Sequence, residues 1–512
     1  MKNFLFLILL SFTTLVAAQE VIELPMESPK VVVKISFKNG SICDPEGKEG
    51  LTNLTASLVS ETGNDQYTKS EIDDLMFPMA AQYGSFTDKE ITTFSFQVHK
   101  DFLEEFYDIF SGLMLNPSFA QSDFDRVKSN MEVYVKEIIK ANSDEDFSKM
   151  ALEEMLFSET PYQHMKMGTV NGLSNITRED VVSHYQSFFT RNNVLIGIAG
   201  DYPDSFVDRL RADVNKLPDA QPDIPAVSSP EMPEGIQVKL IPKPGNLGTA
   251  IYTGYPIEID RSSPDWPAMM VVNSYLGEHR KSYSRLYQLI RQARSMNYGD
   301  YTYIEWYEAG GSNQLPLTGF PRSNNYFAIW IRPVQTAISL KSQYDELNEI
   351  EIGHAHFAMR MALNEIDRVK EEGLTQDEFD LTRQFLKSYT KLYIQTPAKQ
   401  LGFRMDSRFY GLDDYIGYLD TKLAELTLEE VNAAARKYLQ TENMYICMIT
   451  DQQEAEPLKA SLLENKPSPM TYSNLVRESL TEEVFELDEE VENYPMNVKN
   501  VKVVDPAVLF IE

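Results

Sequence analysis

Two homologous α+β domains, each with helices packed on a sheet, are the fold this sequence predicts, and three observations predict it. The first is repetition: "ITREDV" (Ile176 to Val181) returns as "LTLEEV" (Leu426 to Val431), and "NNVLIGIAGD" (Asn192 to Asp201) as "ENMYICMITD" (Glu442 to Asp451), both 250 residues later. The second is a further echo, "SDFDRVKSN" and "DEFDLTRQF", which sets Phe124 against Phe379 at an offset of 255, so a small insertion separates the halves. A period this long marks a duplicated domain, not a solenoid. The third is that alternating apolar runs are followed by long helical patterns in each half.

In chain order, "MKNFLFLILLSFTTLVAAQ" carries a lone Lys2, an apolar core from Phe4 to about Val16, then Ala17 and Ala18 before Gln19. That is the pattern of a secretory signal peptide over 1–18, too short to span a bilayer. The first domain, 19–216, contains the period-2 runs "KVVVKISFKNG" and "ITTFSFQVHK" and a helical pattern from Asp101 to Met114. Residues 217–235, "LPDAQPDIPAVSSPEMPEG", carry five prolines and read as a stiff, extended linker. The second domain, 236–452, repeats the scheme with "TAIYTGYPIEI", "NYFAIWIRP" and a helical pattern from Asp345 to Glu372. Residues 453–512 form an acidic extension, read as a solvated surface of the second domain.

Composition excludes several functions. At 43% hydrophobic, 11% aromatic and 24% charged the chain is globular. Its net charge of -30 opposes binding to nucleic acid, which needs clustered Lys and Arg, and to anionic membranes. No later stretch reaches 18 uninterrupted apolar residues, so no membrane span is expected. With a cleaved leader the mature chain is expected outside the cytoplasm: periplasmic in a bacterium, in the secretory pathway of a eukaryote. Only Cys43 and Cys447 are present, so no disulfide framework supports the fold. Sequons at Asn39, Asn53 and Asn175 matter only in a eukaryotic source.

Three stretches carry a family likeness. "ISFKNGSICDPEGKEGLTNL" resembles the opening strand, hairpin and first helix of the pitrilysin/insulinase metallopeptidases. "TPYQHMKMGTVNGLSNITREDVVSHYQSFFTRNNVLIGIAGD" resembles their P-Y, G-T, I-T-x-E-D and N-x-x-L-x-x-x-G-D landmarks in order, and "YSRLYQLIRQARSMNYGDY" an S-R-L-x-x-x-L-R segment of their C-terminal half. The likeness runs from about residue 30 to 452 and includes the duplication. It implies that each sheet is mostly antiparallel and that the two domains face each other across a cavity.

In that family the zinc peptidases carry H-x-x-E-H on the first helix. Two imidazoles one turn apart grip the metal, and the glutamate is the general base on its bound water. A second glutamate on a later helix completes the ligand set. Overlaying "GLTNLTAS" places Asn53 and Ser57 at the histidines and Ala56 at the base, and counting 77 on from Ser57 reaches Tyr134. All four positions are replaced by poor ligands, and Ala cannot take a proton. Glu132 and Glu137 lie nearby, but one carboxylate makes no zinc site. No catalytic residue, metal or cofactor is therefore expected in this chain.

The family also uses an Arg and a Tyr, seven residues apart in the C-terminal half, to engage substrate near the zinc; in "IRQARSMNY" that spacing gives Arg291 and Tyr298. A guanidinium can hold a peptide carbonyl or carboxylate, and a phenol can donate to an oxyanion. Arg285 and Arg294 stand close enough to share the role. In two-chain members one subunit supplies the zinc helix and the other the Arg/Tyr pair. The resemblance implies the second type: a non-catalytic, substrate-positioning subunit of a secreted peptidase, pairing with an H-x-x-E-H-bearing catalytic subunit that brings the zinc. The alternative is a stand-alone peptide-binding or scaffold protein on the same fold. "HAH" (His354, Ala355, His356) reads as a solvated helix face, since i and i+2 point apart on a helix. His99, His164, His184 and His279 are isolated in sequence.

Overall fold

The computed structural model describes residues 19–307 and 314–512. The segment read as a leader, 1–18, lies outside the described residues. The first half comprises strands β1 (Val21–Pro25), β2 (Lys30–Phe37), β3 (Gln82–Thr87), β4 (Thr92–His99) and β5 (Val194–Gly200). Its main helices are α1 (Leu51–Ser60), α2 (Lys69–Met76), α3 (Leu103–Leu115), α4 (Gln121–Val133), α5 (Asp144–Leu156), α6 (Arg178–Phe188) and α7 (Asp204–Val214). The strands join in the order β1-β5-β2-β4-β3, antiparallel except for β1 beside β5.

The second half contains β6 (Ile236–Lys243), β7 (Gly248–Ile257), β8 (Asp300–Tyr303), β9 (Asn325–Gln335), β10 (Met444–Asp451) and β11 (Val498–Val503). Its main helices are α8 (Trp266–Gly277), α9 (Ala355–Glu372), α10 (Gln376–Tyr389), α11 (Pro397–Phe409), α12 (Tyr415–Glu425), α13 (Leu428–Tyr438), α14 (Ala455–Leu463) and α15 (Glu482–Val491). The sheet order β11-β6-β10-β7-β9-β8 repeats the first with one strand added at the edge. The fold is the expected α+β pair of mostly antiparallel sheets.

The repeated sequence motifs are matching helix starts and strands. In "ITREDV" and "LTLEEV", Thr177 and Thr427 each accept a hydrogen bond from the backbone three residues on, while Asp180 and Glu430 accept from the threonine N–H. These are two capping boxes in register with the duplication. The paired runs 250 residues apart become β5 and β10, each at the interior of its sheet.

The alternation in β2 assigns its faces. Val31, Val33, Ile35 and Phe37 are buried in the core beneath the first half's own helices. Val32 points the other way, into a cluster with Ala199, Leu401 and Met405. The last two belong to α11, so a helix of the second half covers the far face of the first sheet. The reverse also holds: α5 packs on β7 and β10, burying Phe147, Ala151 and Leu152 in one core with Tyr252, Trp330, Cys447 and Ile449. Helices α5 and α11 start 253 residues apart, so the halves exchange equivalent helices. Close approach needs small residues beneath them. A Cβ on Gly197 would sit 2.5 Å from Met405 Sδ, and Cys447 stands at the matching position of the second sheet.

Buried charges hold this exchange. Glu153 on α5 accepts from Arg322 at 2.7 Å, and Arg322 donates two further bonds to Asp88, at 2.9 and 3.0 Å. At the equivalent position of α11, Asp406 accepts from Gly319 N at 3.0 Å and lies 3.8 Å from Arg261. Burial raises the Asp88 carboxyl and the neighbouring Arg322 lowers it further, leaving it below the usual carboxylate range.

Two sequence readings change. The helix expected from Asp345 begins at Ala355; Asp345–Leu347 makes a single 3-10 turn, and Gly353 is pressed against Gln335 O, where a Cβ would stand 2.1 Å away. His354 and His356 are not on a solvated face: they are 3% and 1% exposed. Helix α14 and the segment after it cover them, His356 Nδ1 meeting Ser461 Oγ at 2.9 Å and His354 Nε2 meeting Thr471 Oγ1 at 3.0 Å. The acidic residues Glu482, Glu483, Glu486, Glu489 and Glu490 of α15 are solvated. Beyond β11 the chain returns to the first half, where Val170 N donates to Phe510 O and Asn171 N to Ile511 O, both at 2.9 Å.

Candidate functional site

Helix α1 is built from its N-terminus. Gly50 precedes it at φ 102, a conformation favouring glycine, and a Cβ there would lie 2.9 Å from Met167 O and Leu173 Cδ2. The Asp44 carboxylate folds back over the helix start, accepting from Gly50 N and Thr52 N, both at 2.7 Å, and lies 3.1 Å from His164 Nε2. It thus satisfies the orphan donors of the first turn and complements the positive end of the helix.

The four positions matched to the family's zinc machinery hold no ligand set. Asn53 is half-buried and its Nδ2 donates to Met167 Sδ at 3.1 Å. Ala56 is fully buried in the core and Ser57 is half-buried. Tyr134 is half-buried where α4, which packs on α1, loosens into a π turn over Tyr134–Ile138. Of the nearby carboxylates, Glu132 lies 4.0 Å from Lys128 and exposed Glu137 lies 4.0 Å from Lys136. Two histidines isolated in sequence do approach the helix, yet both have structural partners. His164 sits on Asp44; His184 Nε2 lies 3.1 Å from Thr52 Oγ1 with its ring stacked on Phe188, and burial pushes it down to about 4. A neutral amide, a methyl, a hydroxyl and a phenol do not fit a zinc ion that takes imidazole, thiolate or carboxylate. Among the described residues no three His, Cys, Asp or Glu side chains gather to hold a metal.

The second set of residues lies on the other half. A π turn over Tyr287–Gln292 carries Arg291, and Ser295 at φ 53 ends the turn by donating its N–H to Arg291 O at 2.9 Å. The Arg291 guanidinium lies 5.5 Å from the centroid of the Tyr298 ring, which is 77% exposed. The neighbouring arginines are engaged elsewhere: Arg285 donates to Glu365 at 2.9 Å, and buried Arg294 to Asp488 at 2.7 Å and Leu289 O at 2.7 Å. Behind the pair, Asp300 is buried and accepts from Asn297 Nδ2 at 2.6 Å; burial pushes its carboxyl well up, while Asn297, Arg291 and Arg332 pull it back. Sequence spacing alone did not find Asp300, because its role comes from burial beside Arg291. The structure brings Arg291 onto Tyr298 and α4 onto α1. Among the described residues no hydrogen bond, ion pair or ring contact joins the one pair to the other.

Known proteins resemble this chain over most of its length. The family model for insulinase (peptidase family M16) matches residues 21–170, and that for the peptidase M16 inactive domain matches 175–386. A relative from Helicobacter pylori, "Non-peptidase homolog YmxG", is 21% identical over 431 residues, covering 83% of this chain and 90% of the relative. The crystal structure of a peptidase M16 inactive domain from Pseudomonas fluorescens superposes with a TM-score of 0.71 at 22% identity, over 85% of this chain and 96% of that one. A chain of Complex III2 from Candida albicans does so at 0.64 and 12% identity, over 84% and 93%. No described helix is long and apolar enough to cross a membrane. With a duplicated α+β fold matched over both halves, this chain belongs to the insulinase family, peptidase family M16, and carries Asn53, Ala56, Ser57 and Tyr134 at the positions matched to that family's zinc machinery.

Proposed function

We propose that the chain is the non-catalytic, substrate-positioning subunit of a secreted zinc peptidase, pairing with a family member that carries H-x-x-E-H and brings the zinc. The observation that carries this reading is the Arg291–Tyr298 pair: an exposed phenol beneath a guanidinium, with Arg285 and Arg294 engaged in ion pairs of their own. Arg291 is thus the arginine of the segment suited to a peptide carbonyl or carboxylate, and Tyr298 to an oxyanion forming on the partner's zinc. A chain of the same fold belongs to Complex III2 of Candida albicans, which supports assembly as the working state. Co-expression with an H-x-x-E-H-bearing homologue from the same genome tests this. The pair is expected to co-purify, to contain zinc and to cleave peptides, and Arg291→Ala to lower cleavage about tenfold or more without dissociating the pair. Unchanged cleavage overturns the assignment.

One observation favours a stand-alone peptide-binding role. Strand β3 ends its sheet, packs on α1, and has open space beside Gly84. An extended peptide can add to such an edge through main-chain hydrogen bonds. A stable monomer that ignores the homologue yet binds extended peptides would select this reading.

A further inference from the structure

A cavity of about 60 Å³ lies in the second half between the end of α8, the β8 edge and α10. At roughly 10–15 Å³ per water it has room for about four to six heavy atoms. Its walls include the rings of Trp266, Tyr303, Tyr307 and Tyr393, with Asn273, Glu278 and Glu305 among them. Glu305 is occupied by Arg261, which donates to both its oxygens at 2.9 and 3.1 Å. Glu278 differs: among the described residues no Lys, Arg or His nitrogen stands within ion-pair distance of it. Lys281, whose charge acts on it, reaches instead over the Tyr389 ring at 4.6 Å. Asn273 Oδ1 is buried and has no hydrogen-bond partner among the described residues.

The wall therefore combines an unpaired carboxylate, an unused amide oxygen and several π faces. An anion would meet the carboxylate, and an apolar guest would leave the Asn273 oxygen unsatisfied and the Glu278 charge without a counterion. A calcium or magnesium ion needs six or more oxygens, which the cavity does not offer. An alkylammonium group matches each element: N–H donors for the two acceptors, positive charge for the rings, a short carbon arm for the walls. We infer that this cavity is a binding site for an organic ammonium group, with Glu278 and Asn273 as its acceptors. Burial lifts the Glu278 carboxyl to about 7, against hydrogen bonds from Ser274 and the His279 N–H and the charge of Lys281, in keeping with a carboxylate that lacks an ion-pair partner. The site is remote in role from Arg291 and Tyr298, and its test needs no partner subunit.

The purified chain is titrated with n-butylammonium chloride by calorimetry, with sodium chloride at equal ionic strength and n-butanol as blanks. Saturable binding by the ammonium alone is expected, weakened about tenfold or more in Glu278→Gln. Asn273→Leu serves as the second variant should the first fail to fold, with the same loss expected. The two sources of such a group separate in a parallel titration with Nα-acetyl-lysine methylamide. Binding at least as tight as n-butylammonium identifies a lysine side chain of a peptide; binding of n-butylammonium alone identifies a free small amine. Absence of saturation, equal binding of n-butanol, or unchanged affinity in the folded variants overturns the site.

Discussion

Gly50 shows how much of the first half's architecture rests on single residues. Its left-handed backbone and the 2.9 Å approach of Met167 O and Leu173 Cδ2 leave no place for a side chain. Gly50→Ala is expected to cost about 1–3 kcal/mol, read as a lower urea midpoint at unchanged slope. Glu278 makes a prediction of the opposite sign. A carboxyl raised to about 7 in the folded chain, against about 4.3 unfolded, keeps a proton that the unfolded chain has already released between those values. Its contribution to stability is thus complete below about pH 4 and lost as pH rises through 7. Glu278→Gln should melt above the parent at pH 8 and with it at pH 4, by differential scanning calorimetry. At this scale the sequence offered Asn53, Ala56, Ser57 and Tyr134 as the positions to inspect, because landmarks on either side fixed the count. The engagement of Arg285 and Arg294 was not, since Glu365 and Asp488 are distant in sequence and only folding pairs them.

At the scale of elements, strands and caps were the readable part. β2, β4, β7 and β9 fall on the alternating runs, and the repeated hexapeptides are capping boxes, because both signals are local. The histidines at the start of α9 misled for the converse reason. Helical geometry says which way a side chain points, but not that Ser461 and Thr471 will arrive to bury it. The exchange of α5 and α11 escaped for the same cause: periodicity marks an apolar face without naming the sheet it meets. Arg322 ties that exchange together by joining Asp88 to Glu153. Arg322→Ala leaves Asp88 and Glu153 buried with much of their compensation gone and should cost about 3–5 kcal/mol by urea denaturation. Since Asp88 is held below its usual range, its share of stability is present above about pH 4 and falls away as acid protonates it. The variant should accordingly show a shallower acid-unfolding profile than the parent.

For the whole molecule, sequence divides what the structure joins. A break at residue 216 or 235 is natural by composition, yet a piece comprising 19–216 would lack α11 and expose Val32 and Ala199 on the bare face of its sheet. Expressed alone, 19–216 is expected to lack a cooperative melt; mixed with 236–512, it should regain one near that of the intact chain, by circular dichroism. A sharp, unassisted transition of 19–216 would show the exchange to be dispensable. The C-terminal segment reinforces the union, since Phe510 and Ile511 bond to Val170 and Asn171 while β11 extends the second sheet.

Gly197, the small residue that lets α11 lie against the first sheet, also sets a clock. The helix it receives begins at Pro397, about 200 residues further along the chain. At 5–20 residues per second, a ribosome delivers it roughly 10–40 s after β5 emerges. Throughout that interval the first sheet has an uncovered face and no means within its own half to cover it. The nascent polypeptide is thereby expected to reach its final form only after most of it has been made.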